Sequence, residues 1–107
     1  MRAGYLGPPG TYSEEALRAS APDGAEPVPL PSIPATIAAV ADGTVDLAIV
    51  PIENALEGAV SATLDALVLD APGVRIVGET VHPIAHCLAA RGDLALTDVR
   101  VVASHPQ

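Results

Sequence analysis

Two short loops carry the residue types best suited to holding an anion. The first reads Gly7-Pro8-Pro9-Gly10-Thr11 and the second Glu53-Asn54-Ala55-Leu56-Glu57-Gly58. Each follows an apolar run and precedes a helical pattern. A helix start leaves backbone N–H groups without intrahelical partners and carries a partial positive charge, so it favours a carboxylate or a phosphate. The two glycines and two prolines of the first loop force a tight turn, which is either a plain strand-to-helix connector or a cradle of N–H groups. Thr11 and Glu14 fit a capping box, and capping is the ordinary role of such a pair. Asn54 both donates and accepts, which suits it to orienting a carboxylate or carbonyl. It equally suits the capping of its own loop. Glu53 and Glu57, four apart, fit an acid/base pair or a favourable interaction with a helix dipole.

The remaining reactive side chains form weaker patterns. His82, His86 and His105 invite a metal reading. Pro83 and the extended pattern around it remove the helix that the first two would need to share a face, and no Cys or acidic ligands stand at matching spacing. No metal is therefore expected. Cys87 is read as a small apolar residue, not a nucleophile. Ser104 stands at the end of an apolar run, where it either caps a following helix or offers a hydroxyl to a ligand.

Several partner classes are excluded by composition. Thirteen acids face five bases, for a net charge of −8, and every base is Arg. Nucleic acid would be repelled. No run of about 18 apolar residues and no signal-like N-terminus occurs, so a cytoplasmic protein without a membrane partner is expected. One cysteine excludes an internal disulfide. Half of the 107 residues are apolar, much of that half is Ala, and Phe and Trp are absent. The core must be built from small aliphatic side chains.

The elements that would position these loops alternate. Residues 3–7 read as a strand, 11–19 as a helix, and 26–30 as a strand kept near an edge by Pro27 and Pro29. A second helix follows Ser32 as N-cap, with Pro34 in its first turn and Gly43 past its end; Ile37 and Val40 share one face. Residues 45–52, VDLAIVPI, form the strongest strand signal, and their continuous apolar character predicts a central strand covered on both faces. A loop over 53–58 leads to a helix over 58–69. Beyond a turn at 70–73, residues 74–81, 85–89 and 99–103 read as strands. The alternation through residue 69 predicts an α/β layer with a largely parallel sheet, with a boundary near 70–75. In such sheets ligands sit beyond the carboxyl ends of the strands, where both loops lie.

Four segments, YLGPPGTYSEEAL, VDLAIVPIENALEGAVSATLDAL, IVGETVHPIAHCL and ASHPQ, together resemble the prephenate dehydratase family in order and spacing. The resemblance implies conversion of prephenate to phenylpyruvate with loss of CO2 and water, on the route to phenylalanine, without metal or organic cofactor. It implies a catalytic domain of two α/β lobes, similar to type II periplasmic binding proteins, with the active site between them. Gly10 and Thr11 match the family's Gly-Pro-x-Gly-Thr loop, Asn54 its Glu-Asn-Ser-x-x-Gly pattern, and Ser104 its Ser-His-Pro-Gln motif. By resemblance Asn54 and Ser104 are catalytic residues, and they bind substrate together with Gly10 and Thr11.

The sequence also departs from the family. Ala55 stands where the family has Ser. The Thr-Arg-Phe motif, expected to supply a catalytic Thr and a substrate-binding Arg, cannot occur in a chain without Phe. Residues 1–73 are thus expected to be the first lobe and residues 74–107 the opening strands of a truncated second lobe, inactive by itself. Those strands would lack their normal neighbours, so a homodimer is expected through residues 74–107. Arogenate dehydratase, or a binding module of the same fold without catalysis, matches the same motifs.

Overall fold

The structure, a computed structural model, describes residues 1–56 and 58–104. Its centre is β1 (Arg2–Leu6), which pairs in parallel with β2 (Glu26–Leu30) on one side and with β3 (Leu47–Ile49) on the other. The sheet order β2-β1-β3 makes β1 the interior strand. Ala3, Gly4 and Tyr5 are buried, whereas all three residues of β3 are only half-buried. The expectation of a central strand over 45–52 is therefore corrected in position and length. β3 is an edge among the described residues, its ladder holds only 47–49, and the long apolar run continues past it as irregular chain.

Parallel neighbours need crossovers, and both are helical. α1 (Tyr12–Ser20) joins β1 to β2, and α2 (Ile33–Ala41) joins β2 to β3. The first connection steps outward along the sheet and the second steps back across β1. Right-handed crossovers then place the two helices on opposite faces. The core divides accordingly. Ala3 and Tyr5, two apart on β1, pack with Leu17 of α1; Ala21, Ala25, Leu47 and Ile49 close round them. Ile37 of α2 packs with Ala66, Ala71 and the half-buried Ile33, Val50, Leu67 and Val74. The phenol of Tyr5 is pushed above its ordinary range by burial, reinforced by the negative charge of Glu14.

Each helix begins where its cap residue stands. Thr11 has extended backbone and its hydroxyl accepts from the Glu14 N–H, while Ser32 accepts from the Ala35 N–H at 3.2 Å. Pro follows at the start of α2, where a missing N–H costs nothing, and Gly43 with φ of 78° turns the chain out of its end. Glu14 departs from the standard capping box. Its carboxylate does not return to the cap residue's own N–H but accepts from Gly10, one residue earlier, at 2.6 Å. Its other oxygen is held by Arg18, one turn on, at 2.6 and 3.0 Å.

The loop expected over 53–58 contains a small hairpin, β4 (Glu53–Asn54) against β5 (Gly58–Ala59). That pairing consumes the residues expected to open the third helix, so α3 spans only Ser61–Asp65 and continues as a wider π-type turn over Ala66–Asp70.

The segments expected as strands over 74–81, 85–89 and 99–103 form no ladder. Among the described residues beyond 74, the one regular element is a 3-10 turn at Leu96–Asp98. The physical reason is the absence of pairing partners: a strand is defined by its neighbours, and these runs lie apart from the sheet. Val77, Val81 and Val101 are 92%, 93% and 86% exposed. The Cα radius of gyration is 16.2 Å, against roughly 13 Å for a compact chain of this length, because this arm extends away. Among the described residues no helix is long and apolar enough to cross a membrane.

Two outcomes follow. A Cβ on Gly4 would stand 3.2 Å from both Leu30 Cδ1 and Val45 Cγ2 and 3.4 Å from Ala48 Cβ. Gly4→Val should therefore lower unfolding stability in urea by about 1–3 kcal/mol, through overpacking at the centre of the sheet; an unchanged midpoint would contradict this packing. The second outcome concerns Glu14, held below its ordinary pKa of 4.5 by the Gly10 N–H first and by Arg18 second. A depressed carboxylate stabilises the fold above its unfolded pKa and loses that contribution as pH falls through the folded one. Glu14→Gln should melt below the parent chain at pH 7, with the gap narrowing as pH drops below 4.5.

Candidate functional site

Because β3 lies beside β1 in the same direction, with Tyr5 opposite Ile49, the chain leaves both strands at one end of the sheet. The Gly7–Thr11 loop follows β1 at that end, and the chain leading to β4 (Glu53–Asn54) follows β3 there. This is the edge at which parallel sheets bind ligands.

The first loop is rigidly built. Gly7 donates its N–H to the Leu30 carbonyl at 2.8 Å, tying the loop to β2. The Gly7–Pro8 peptide bond is cis, and Gly10 has φ of 88°, a left-handed conformation that glycine adopts without strain. The Thr11 hydroxyl donates to the Leu6 carbonyl at 3.1 Å while accepting from Glu14. Its hydrogen is thus committed to the end of β1. Of the two readings of this loop, connector or cradle, the Gly10 N–H follows the first: it is occupied by the Glu14 carboxylate. An incoming anion reaches that N–H only by displacing Glu14, which would swing out with Arg18. An open depression beside the loop is lined by Gly10, Thr11, Tyr12 and Glu15. Another hollow, between Leu17, Arg18, Asp23 and Pro27, lies at the opposite end of α1, away from the strand C-termini, and is unrelated to this edge.

Asn54 sits in β4, half-buried, opposite Gly58. Its Oδ1 accepts from the Leu56 N–H at 2.8 Å, an Asx-type turn that orients the amide. The acceptor face is therefore used locally, and none of the described hydrogen bonds engages the amide N–H groups, the donors suited to a carboxylate or carbonyl. Glu53 is exposed. Glu57, the other member of that four-apart pair, lies outside the described residues, as does His105.

Residues not singled out by sequence patterns position this hairpin. Thr63, fully buried, donates its hydroxyl to the Pro51 carbonyl, and the Val60 N–H bonds the Ile52 carbonyl at 3.0 Å. These two bonds clamp the chain on either side of Asn54. A Thr in an apolar helical face was the available signal, yet spacing alone does not say which carbonyl it meets.

Ser104 is exposed, in the irregular arm. The parallel β1–β3 pairing directs the chain toward the first two loops from one end of the sheet, and none of the described hydrogen bonds links Ser104 to Gly10, Thr11 or Asn54. His82 stands 3.1 Å from Glu15 and His86 is exposed, and the described residues contain no group of three or more His, Cys, Asp and Glu side chains placed to hold a metal. Cys87, expected as a small apolar residue in a core, is exposed instead.

Comparison with known proteins places this edge in context. The family model for prephenate dehydratase matches residues 3–107. A prephenate dehydratase of Amycolatopsis methanolica is 42% identical over 105 residues, covering 98% of this chain and 34% of the relative. One from Mycobacterium avium is 38% identical over 112 residues, covering 96% of this chain and 35% of the relative. The X-ray structure of prephenate dehydratase from Streptococcus mutans superposes with a TM-score of 0.60 at 39% identity, over 66% of this chain and 37% of that one. The chain spans about a third of the length of the curated relatives it matches. With the family model covering nearly every residue and the two loops opening together at the expected edge of a parallel sheet, the chain belongs to the prephenate dehydratase family.

Proposed function

We propose that this chain contributes one wall of a prephenate dehydratase active site, converting prephenate to phenylpyruvate in phenylalanine biosynthesis in the cytoplasm. The observation that carries the reading is the match of the family model across residues 3–107, joined to the parallel β1–β3 pairing that opens both motif loops at one edge. The remainder of the site belongs to a second lobe, in a two-lobed arrangement like that of type II periplasmic binding proteins. Residues 74–107 begin that lobe.

Prephenate carries two carboxylates and a ring hydroxyl. Loss of CO2 and water creates an aromatic ring, so the reaction has a strong downhill pull once the leaving groups are aligned. The demands on the protein are to hold both carboxylates, orient the ring and assist departure of the hydroxyl. The Asn54 amide, oriented by its bond to Leu56, donates to one carboxylate or to the departing oxygen. The Gly10–Thr11 backbone at the start of α1 receives the other carboxylate, taking the place that the Glu14 carboxylate holds here. Ser104 is assigned to the same site through its motif and reaches it when the second lobe closes. The catalytic Thr is contributed by the second lobe.

The direct test is incubation with prephenate and detection of phenylpyruvate by its absorbance. The protein comprising both lobes should turn over prephenate, and residues 1–107 alone should not. Silence from the two-lobed protein overturns the activity; vigorous turnover by residues 1–107 overturns the assignment of the catalytic group elsewhere. In the active protein, Asn54→Ala should lower kcat by roughly 10²–10³-fold, the effect of removing one preorganised donor. Wild-type kinetics for that variant would remove Asn54 from the site.

The exposed apolar arm carries an associated proposal about assembly. Unpaired extended segments recruit other strands, and residues 74–104 present Ile76, Val77, Val81, Leu94, Leu96, Val101 and Val102 to solvent. Residues 1–107 should form a homodimer through this arm, seen as a rise in mass with concentration in sedimentation equilibrium. A single monomeric species across the accessible range would count against it.

A further inference from the structure

Among the described hydrogen bonds, two join residues 75–104 to the α/β layer. The Tyr12 hydroxyl donates to the Ala85 carbonyl at 2.5 Å, and His82 Nε2 lies 3.1 Å from Glu15 Oε2. The Tyr12 and His82 rings stand 6.1 Å apart between centroids, tilted by 51°. These interactions converge. Tyr12 and Glu15 are three apart in the first turn of α1 and so share one face of the helix. They meet His82 and Ala85, also three apart in the crossing segment. The burial pattern agrees: the His82 side chain is 23% exposed, while adjacent Val81 is 93% exposed. Over residues 75–98 His82 alone is half-buried, and the two hydrogen bonds to α1 fall at this point of the arm.

The helix side of this junction is also part of the candidate site. Tyr12 and Glu15 line the open depression together with Gly10 and Thr11. A segment resting on Tyr12 and Glu15 therefore stands at the margin of that depression. Its two anchors differ in what they require. Tyr12 bonds a main-chain carbonyl and accepts any side chain at position 85. Glu15 needs a donor at position 82, and this sets the register. Pro83, between them, narrows the backbone freedom of the segment, so that fixing one anchor raises the local concentration of the other.

We propose that Glu15–His82 and Tyr12–Ala85 form a two-point latch that docks residues 82–85 on the first turn of α1, at two of the residues that line the Gly10–Thr11 depression. When both anchors break, the arm swings free of α1. Tyr12, Glu15 and His82 are positioning residues in this scheme, and the inference goes beyond the assignment of prephenate, since it concerns where the segment lies whatever the ligand.

Cys87 makes the latch measurable. It is the only cysteine, it is exposed, and it stands two residues beyond Ala85. A nitroxide attached to Cys87 in the 107-residue chain should selectively broaden the backbone amide signals of residues 12–15, compared with those of α2. Broadening between molecules is measured separately, by mixing spin-labelled unenriched chains with unlabelled isotope-enriched ones, and subtracted. In the Tyr12→Phe, Glu15→Gln double variant the docked population should fall roughly tenfold, each lost hydrogen bond contributing a factor of a few, and the selective broadening should collapse. Each single variant should give an intermediate loss. Uniform broadening of all elements in the parent chain overturns the latch, and so does undiminished broadening in the double variant. Dispersed signals from Ala3 and Val45 report that the sheet is intact in each variant; should the double variant unfold, Tyr12→Phe, which keeps the ring, decides the matter alone. None of these readouts depends on prephenate, so failure of the latch is distinguishable from failure of the proposed activity.

Discussion

Parallel pairing of β1 with two neighbours is the constraint from which the other features descend. The strand must be flat and narrow enough to be approached from both edges and both faces, and its five residues meet that demand. Ala3 and Tyr5 point to the α1 side. Gly4 leaves room on the other for Leu30, Val45 and Ala48. The start of the strand is pinned on both sides. The Glu26 N–H bonds the Met1 carbonyl at 2.9 Å, Arg2 N donates to Asp46 Oδ2 at 2.7 Å, and the Arg2 guanidinium reaches the Thr44 carbonyl at 2.6 Å. Register set at one end of the sheet becomes loop position at the other. The side-by-side exit of the two motif loops is therefore a consequence of sheet pairing, and it would be lost if β3 slipped or left.

Rigidity at the first loop comes from the same source. The loop is bonded to β2 through Gly7, to the end of β1 through the Thr11 hydroxyl, and to α1 through Glu14. Each tether has a main-chain group at one end, but two of the three depend on the Thr11 and Glu14 side chains, so the loop geometry is sensitive to change at those two positions. The second loop is held differently, by a hairpin of two-residue strands and by the buried Thr63 hydroxyl on the Pro51 carbonyl. Its hold combines main-chain bonds with the Thr63 side chain, and the position of Asn54 depends on both.

Much of this was legible from residue types. Thr11, Ser32, Pro34 and Gly43 mark the helix boundaries because caps and breakers act locally, through their own backbone. Pro27 and Pro29 announce an edge strand, and β2 is one. What failed was information held by partners. The run over 45–52 looks central because it is apolar throughout, but the count of neighbours, not hydropathy, decides which strand is interior. The runs over 74–103 are rich in Val and Ile, yet they form no ladder because, among the described residues, no strand lies alongside. In the site, Thr11 and Asn54 were found by motif, and their commitment to Leu6 and Leu56 was not. The same holds for the Glu14–Gly10 bond, one residue off the expected capping pattern. Tyr12 and His82 share no sequence pattern at a separation of 70 residues, and only their folded proximity relates them.

The charge balance bears on how an anion could be held. A chain of net charge −8 offers a poor mean field to a dianion, and its bases are few. At the first loop the one nearby guanidinium, Arg18, is already paired with Glu14. That pair is not an obstacle of fixed size. Glu14 occupies the Gly10 N–H in the manner of a substrate carboxylate, accepting from a main-chain donor at the mouth of α1. Exchange of one carboxylate for another at this N–H conserves that hydrogen bond, and the remaining cost is the release of Glu14, whose side chain is only 13% exposed, from its contacts with Arg18 and Tyr5. On the proposed reading of this loop, the internal carboxylate holds it in the conformation a ligand would meet. The conformational entropy of ordering it is met during folding, not at the moment of binding.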